Sequence, residues 1–265
     1  MVHGIPLLFL ERGTVPEQER QIVRAFTTRS VSYYSDNYSA PTSERAARYR
    51  LVERIARSIV EPGMLVADIG AGPGVFAELV GGLDAGYVAV DLSIDNLLAA
   101  QKRVPGLHAV AATATSLPLR DALFDLVLAT GCLEYIEGQQ LAIDELLRVA
   151  KPGGYVVVSF ANALSPRRWW DEGVVHPLRR VVKRCMGKDD IYVRRLTRPA
   201  GAIHGVRRAG GEIRSICYLG QGLVGYPLST FPYVRRRTVD AERPPGPRLA
   251  KLAAEFVIVA RRAAP

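Results

Sequence analysis

The chain has 265 residues, 48% hydrophobic and 23% charged, with a formal net charge of +9 and a mean hydropathy of +0.07. Such a composition supplies a sizeable core and excludes a long disordered chain. No window reaches the ~18 apolar residues of a membrane span. The short apolar run at residues 5–10 has no basic region before it and no small-residue cleavage site after it, so a cytoplasmic protein is expected.

Helical spacing predicts helices over 17–29 and 42–60, the second capped by Ser43 and lined by Ala46, Tyr49, Val52, Ile55, Ala56 and Ile59. Between them, 31–41 is rich in turn formers and carries Tyr33, Tyr34 and Tyr38, the composition of a loop or short lid. A regular alternation follows. Strands are predicted over 64–70, 87–93, 107–113, 124–130 and 155–162. Helices lie between them over 75–83, 94–103 (capped by Ser93) and 141–150, the last stopping at Lys151-Pro-Gly-Gly154.

The rhythm breaks at 163–196, which holds Trp169-Trp170, paired basic residues and an amphipathic pattern around 176–186. It resumes with a helix at 197–209 and a strand at 212–220. An irregular stretch precedes a last strand at 255–262. This order predicts an α/β fold: a Rossmann-like, doubly wound sheet of seven strands, mostly parallel with an antiparallel last strand. Residues 1–41 are expected as an N-terminal helix and lid, and 42–265 as the main domain with inserts at 163–196 and 220–250.

The chemistry concentrates at Asp68-Ile-Gly-Ala-Gly-Pro-Gly74, the turn after the first strand. Its glycines fall at 70, 72 and 74, and Val75 takes the third position of the dinucleotide pattern Gly-x-Gly-x-x-Gly. No Gly-Lys-Ser/Thr follows, which excludes a P-loop. Asp91 ends the second strand about 20 residues on, where a carboxylate accepts from both ribose hydroxyls. A carboxylate at Asp68 suits an ammonium, and bare glycine backbone lets a ligand lie against the chain. Adenosylmethionine, with its amino acid end and sulfonium cation, fits this set.

The sequence resembles the class I adenosylmethionine-dependent methyltransferases, especially the subgroup with the ubiquinone/menaquinone C-methyltransferases and many small-molecule methyltransferases. The likeness covers roughly residues 45–162 and rests on VADIGAGPGVFAEL, YVAVDLS, SLPLRDALFDLVLATGCLEYI and ELLRVAKPGGYVVVSFAN in that order. It implies S-adenosyl-L-methionine as cofactor. Gly70, Gly72 and Gly74 would line its methionine end, Asp68 would orient its amino group, Asp91 would hold ribose and Leu92 would lie beside adenine. Thr130 would approach the methionine backbone, and Tyr38 would belong to a lid. The family often has an acidic residue where this chain has Thr113, so the Thr113 hydroxyl or the Ala114 backbone would take over the adenine contact.

His176, in the segment after the fifth strand that often covers substrate in this family, is the candidate general base. The competing reading is an ordinary surface histidine. His204, His3 and His108 are less suitably placed. Cys132, Cys185 and Cys217 are widely spaced and odd in number, so neither a disulfide framework nor a metal site is expected.

The charge is uneven: −4 over residues 1–162 and +13 over 163–265. That field suits an anionic or amphipathic small acceptor, a membrane surface or nucleic acid, and is equally a solvated face. The leading expectation is O-methylation of a small molecule in secondary-metabolite, sugar or lipid-linked biosynthesis. C-methylation of a prenylated quinone is the alternative. Nucleic acid ranks last, because the chain shows no RNA-binding module and no Asn-Pro-Pro-Tyr motif.

Overall fold

A computed structural model describes residues 5–6, 44–186, 194–220 and 249–264. The helix expected over 17–29, the tyrosines at 33, 34 and 38, the Ser43 cap and most of the segment 220–250 lie outside the described residues.

Seven strands form one sheet: β1 (Leu65–Ile69), β2 (Gly86–Asp91), β3 (His108–Ala111), β4 (Phe124–Ala129), β5 (Ala150–Ala161), β6 (Gly211–Leu219) and β7 (Glu255–Arg262). Their spatial order is β3-β2-β1-β4-β5-β7-β6. The first five run parallel, and β7 pairs antiparallel with both β5 and β6. The helices are α1 (Glu44–Ile59), α2 (Ala77–Gly81), α3 (Ile94–Arg103), α4 (Gln139–Val149), α5 (Pro166–Trp170), α6 (His176–Cys185) and α7 (Pro199–Arg208).

The sheet has an apolar cluster on each side, as expected when helices cover both faces of a parallel sheet. One cluster joins Phe124, Leu133, Leu146, Phe160 and Phe256. The other joins Val52, Phe76, Leu97, Leu126 and Val257. Alternating residues of β4, Leu126 and Val127, fall in opposite clusters, the period of two that a strand imposes. Chain order reverses on either side of β1, between β2 and β4. In open α/β sheets such a switch point, at the C-terminal strand ends, is where ligands bind.

Two elements differ from the sequence pattern. The helix expected over 75–83 shortens to Ala77–Gly81, since Gly81 and Gly82 are poor helix formers and residues 72–76 stay in turns. The helix before Lys151-Pro-Gly-Gly154 ends at Val149 as expected, but this segment already belongs to β5, which begins at Ala150. The strand absorbs the extra residues as a register shift against Phe124 and Leu126. Gly154 fits there because a Cβ would lie 2.9 Å from Lys151 O and 3.1 Å from the carbonyls of Phe124 and Asp125.

Candidate functional site

The turn after β1 folds back over the end of β2. Gly70 N and Ala71 N both donate to Val90 O, at 2.7 and 3.0 Å. Gly70, Gly72 and Gly74 all have positive φ (+71°, +54° and +68°), which glycine adopts without steric cost. Their surroundings differ. A Cβ on Gly70 would lie 2.5 Å from Cys132 Cβ, and one on Gly74 would lie 2.7 Å from Ala100 Cβ on α3. A Cβ on Gly72 would meet nothing within 4 Å. Gly70 and Gly74 therefore serve close packing, whereas Gly72 borders open space at the switch point.

Asp91 holds that turn in place. Its Oδ2 accepts the Gly72 N–H at 2.8 Å, and its Oδ1 accepts the Ser93 N–H at 2.7 Å. Burial raises its pKa above the usual carboxylate range, and the backbone donors of Ser93 and Gly72 oppose that rise. Oδ1 also accepts from Asn96 Nδ2 at 3.5 Å, so Oδ2 is the oxygen that keeps a further lone pair for a ligand hydroxyl. Ser93 caps α3, accepting from Asn96 N at 3.4 Å.

Asp68, one strand over, is buried, and Tyr87 Oη donates to its Oδ2 at 2.5 Å. Burial pushes its pKa up to about 7; the Tyr87 bond opposes the shift and the Asp91 charge adds to it. Its Oδ1 carries no hydrogen bond among the described residues. Two carboxylates close enough to interact electrostatically thus stand at the ends of β1 and β2, one of them bonded to the open glycine. They favour a cationic ligand over a pyrophosphate dianion, by the sign of the field.

Beyond Asp91 the β2 and β3 ends adjoin. Asp91 pairs with Ala111, and Ala112 N donates to Asp91 O at 3.2 Å. Leu92, Thr113 and Ala114 consequently share one edge of the site, Leu92 half-buried and Ala114 buried. Thr113 Oγ1 lies 3.0 Å from Thr115 Oγ1. The loop after them is stapled to α4. Glu145 accepts the Leu117 N–H at 2.6 Å, and Arg148 donates to the carbonyls of Leu117 and Leu119 at 2.9 Å each.

Thr130 and Gly131 follow β4. Gly131 N donates to Ser159 Oγ at 2.8 Å, and Cys132 Sγ to Ile69 O at 3.2 Å. A Cβ on Gly131 would fall 2.5 Å from Arg48 Nη2. Arg48 is buried and donates to both oxygens of Glu255, at 2.9 and 3.1 Å. Arg168 joins the same carboxylate at 3.4 Å. Neither Tyr87 nor this Arg48–Glu255–Arg168 cluster is marked by any local sequence pattern, since partners such as Arg48 and Glu255 lie 207 positions apart.

His176, the first residue of α6, has Nε2 4.0 Å from Glu172 Oε1. Glu172 lies 4.0 Å from Arg194 Nη1, and Arg194 Nη2 donates to Tyr135 Oη at 3.1 Å. His176 thus adjoins a chain of polar contacts, Glu172 to Arg194 to Tyr135, that reaches the turn after β4. Burial raises the Glu172 pKa, and the Arg194 charge opposes that rise. Tyr38 lies outside the described residues. No His/Cys/Asp/Glu group among the described residues could hold a metal ion.

Residues 67–158 match a family model described as a methyltransferase domain. A demethylmenaquinone methyltransferase of Paenarthrobacter aurescens is 31% identical over 137 residues, 51% of this chain and 54% of that protein. One from Renibacterium salmoninarum is 37% identical over 98 residues, 37% and 41% of the two chains. The matched region thus spans about half or less of these relatives' length. Magnesium protoporphyrin IX methyltransferase from Synechocystis PCC 6803, crystallised with bound S-adenosylmethionine, superposes with a TM-score of 0.60 at 14% identity. That match covers 94% of this chain and 99% of that one, and it shows the shared fold. The glycine turn with its two carboxylates and the strand order accompany that likeness: residues 67–158 are similar to a methyltransferase domain, and the chain shares the fold of a methyltransferase structure.

Proposed function

We propose that this chain moves the methyl group of S-adenosylmethionine to a small-molecule acceptor seated over the C-terminal ends of β4 and β5. The observation that carries the reading is Gly72, where a Cβ would meet nothing within 4 Å and whose N–H is held by Asp91, the carboxylate whose charge acts on buried Asp68. Asp68 Oδ1 would take the ammonium of the donor's amino acid end, and Asp91 the ribose hydroxyls. Gly70, Gly72 and Gly74 would shape the methionine end, Thr130 would border it, and Leu92, Thr113 and Ala114 would border the adenine. The donor supplies an activated methyl group on a sulfonium, and adenosylhomocysteine leaves as a neutral thioether.

What remains for the protein is alignment and exclusion of water. Positioning alone can supply roughly 7–11 kcal/mol of the barrier. Where the acceptor must lose a proton, His176 would accept it, held by Glu172 at 4.0 Å; a base contributes about 10²–10⁴-fold. Tyr38 would close the site as part of a lid.

We take oxygen of an amphipathic or anionic metabolite as the acceptor atom. The second reading, C-methylation of a prenylated quinone, is favoured by the names of the two relatives above. Methyl-¹³C donor and an acceptor panel that includes prenylated hydroquinones separate the two. The carbon shift of the new methyl group reports O–CH3 or C–CH3 directly. Formation of adenosylhomocysteine with no acceptor, or with none of the panel methylated, would count against the proposal.

A further inference from the structure

The chain after β5 forms one continuous helical rod. α5 runs into a single π-helical turn, Asp171–Val175, and then into α6. Its near end is tied down: Arg168 donates to Ala254 O at 3.2 Å, and Trp169 Nε1 to Ala163 O at 2.6 Å. The far end is not tied by burial, for α6 buries no residue at all.

Leu178, Val181, Val182, Cys185 and Met186 recur at i, i+3, i+4, i+7 and i+8, which is a single stripe. Arg179, Arg180, Lys183 and Arg184 occupy the positions between them, and residues 173–186 contain no acid. The stripe is bare. Leu178 is 64% exposed, Val181 59% and Met186 63%. Trp170 and Val174, eight and four residues before Leu178, are exposed as well. An amphipathic helix on a globular protein ordinarily turns its apolar stripe inward; this one leaves it in water.

We propose that this rod is an interfacial helix that docks on an anionic lipid bilayer. The apolar stripe would enter the headgroup boundary, and the basic residues would sit on lipid phosphates. Arg179 and Arg184 flank the stripe and can reach headgroups along their aliphatic stems. The choice of occupant follows from charge and apolarity together. Nucleic acid would match the positive charge of the basic face and leave the stripe in water. A second copy would cover the stripe but bring four more cations alongside. Only a surface both apolar and anionic answers both faces. The inference deepens the reading of a small amphipathic acceptor and rests on it for its purpose, since α6 follows the β5 end where that acceptor would sit. Docking itself requires no turnover.

The test uses the full chain and phosphatidylcholine vesicles with and without phosphatidylglycerol, read by flotation and by tryptophan emission. The chain's two tryptophans both lie in this rod, so docking shifts their emission to the blue. Leu178→Asp with Val181→Asp is expected to reduce partition onto anionic vesicles at least tenfold. Arg180→Glu with Arg184→Glu should reduce it by more than about tenfold, at roughly fivefold per basic residue. Both variants should keep wild-type adenosylmethionine affinity, which separates a docking defect from a folding defect or a failed cofactor reading. The proposal is overturned if wild type stays off anionic vesicles, or if the aspartate variant binds them as well as wild type. It is equally overturned if phosphatidylglycerol makes no difference. Wild-type dimers abolished by the aspartates, without vesicle binding, would assign the stripe to a second copy. RNA binding unaffected by the aspartates, without vesicle binding, would assign the basic face to nucleic acid.

Discussion

Tyr87 donates a 2.5 Å hydrogen bond to Asp68, and the two residues sit on adjacent parallel strands at the point where the sheet changes direction. The carboxyl has a pKa of about 7, raised by burial, opposed by Tyr87 and raised further by Asp91. An approaching ammonium favours the ionised form. Adenosylmethionine affinity is therefore expected to weaken as pH falls through 7 and to level off above it, with proton release on binding near neutrality. Tyr87→Phe removes a bond to the charged form and should move this transition to higher pH. Calorimetry in buffers of different ionisation enthalpy measures both effects. A pH-independent affinity would dissociate Asp68 from the ligand.

The same group sets a stability trend without ligand. A carboxyl raised from 3.8 to about 7 in the folded state favours folding below its unfolded pKa and loses that contribution as pH rises through 7. Thermal melts of Asp68→Asn should lack this part of the pH dependence. Saturating adenosylmethionine should oppose it in the wild type.

Gly72 and Gly74 separate binding from packing. Gly74→Ala places a methyl 2.7 Å from Ala100 Cβ, and overpacking of that kind costs about 1–3 kcal/mol. Gly72→Ala meets no atom within 4 Å, so its folding cost is confined to the left-handed backbone, about 1–2 kcal/mol. The methyl would stand in the space assigned to the ligand. Gly72→Ala is thus expected to lose more cofactor affinity, and Gly74→Ala as much or more stability, in paired melts and titrations.

Strand positions were readable because five apolar runs alternate with amphipathic helices, and each predicted run overlaps the observed strand. Asp68, the glycines and Asp91 were readable for the same reason: they sit at strand ends, where local order determines neighbourhood. Two boundaries were not. β5 takes in Lys151-Pro-Gly-Gly154 through a register shift that depends on β4, and α2 starts at Ala77 and ends at Gly81, inside the expected 75–83. Tyr87 looked like an ordinary strand residue, because its hydroxyl partner belongs to the neighbouring strand. Glu145 and Arg148 stood inside a recognised motif, yet their role as a staple for 117–121 needed the fold.

Glu255 is a carboxylate shared by Arg48 and Arg168, all three buried. Glu255→Gln removes the charge that both guanidinium groups share. Breaking one side of a buried pair costs about 3–5 kcal/mol, so a large fall in melting temperature is expected. Because Arg48 abuts Gly131, cofactor affinity should fall with it. A melting temperature within a degree or so of wild type would mean that the cluster is dispensable.

His176→Asn tests the base. A fall in kcat of about 10²–10⁴-fold at unchanged adenosylmethionine affinity fits proton removal from the acceptor. Unchanged turnover would leave His176 as a surface residue of α6.

The most direct measurement is calorimetric titration of the wild-type chain and Asp91→Ala with adenosylmethionine and adenosylhomocysteine. Asp91 both fixes Gly72 and faces the ribose position in this account, so wild type should bind both ligands and the variant should bind each at least tenfold more weakly. Absence of binding by a folded wild-type chain, or equal binding by Asp91→Ala, would contradict the assignment of the glycine turn.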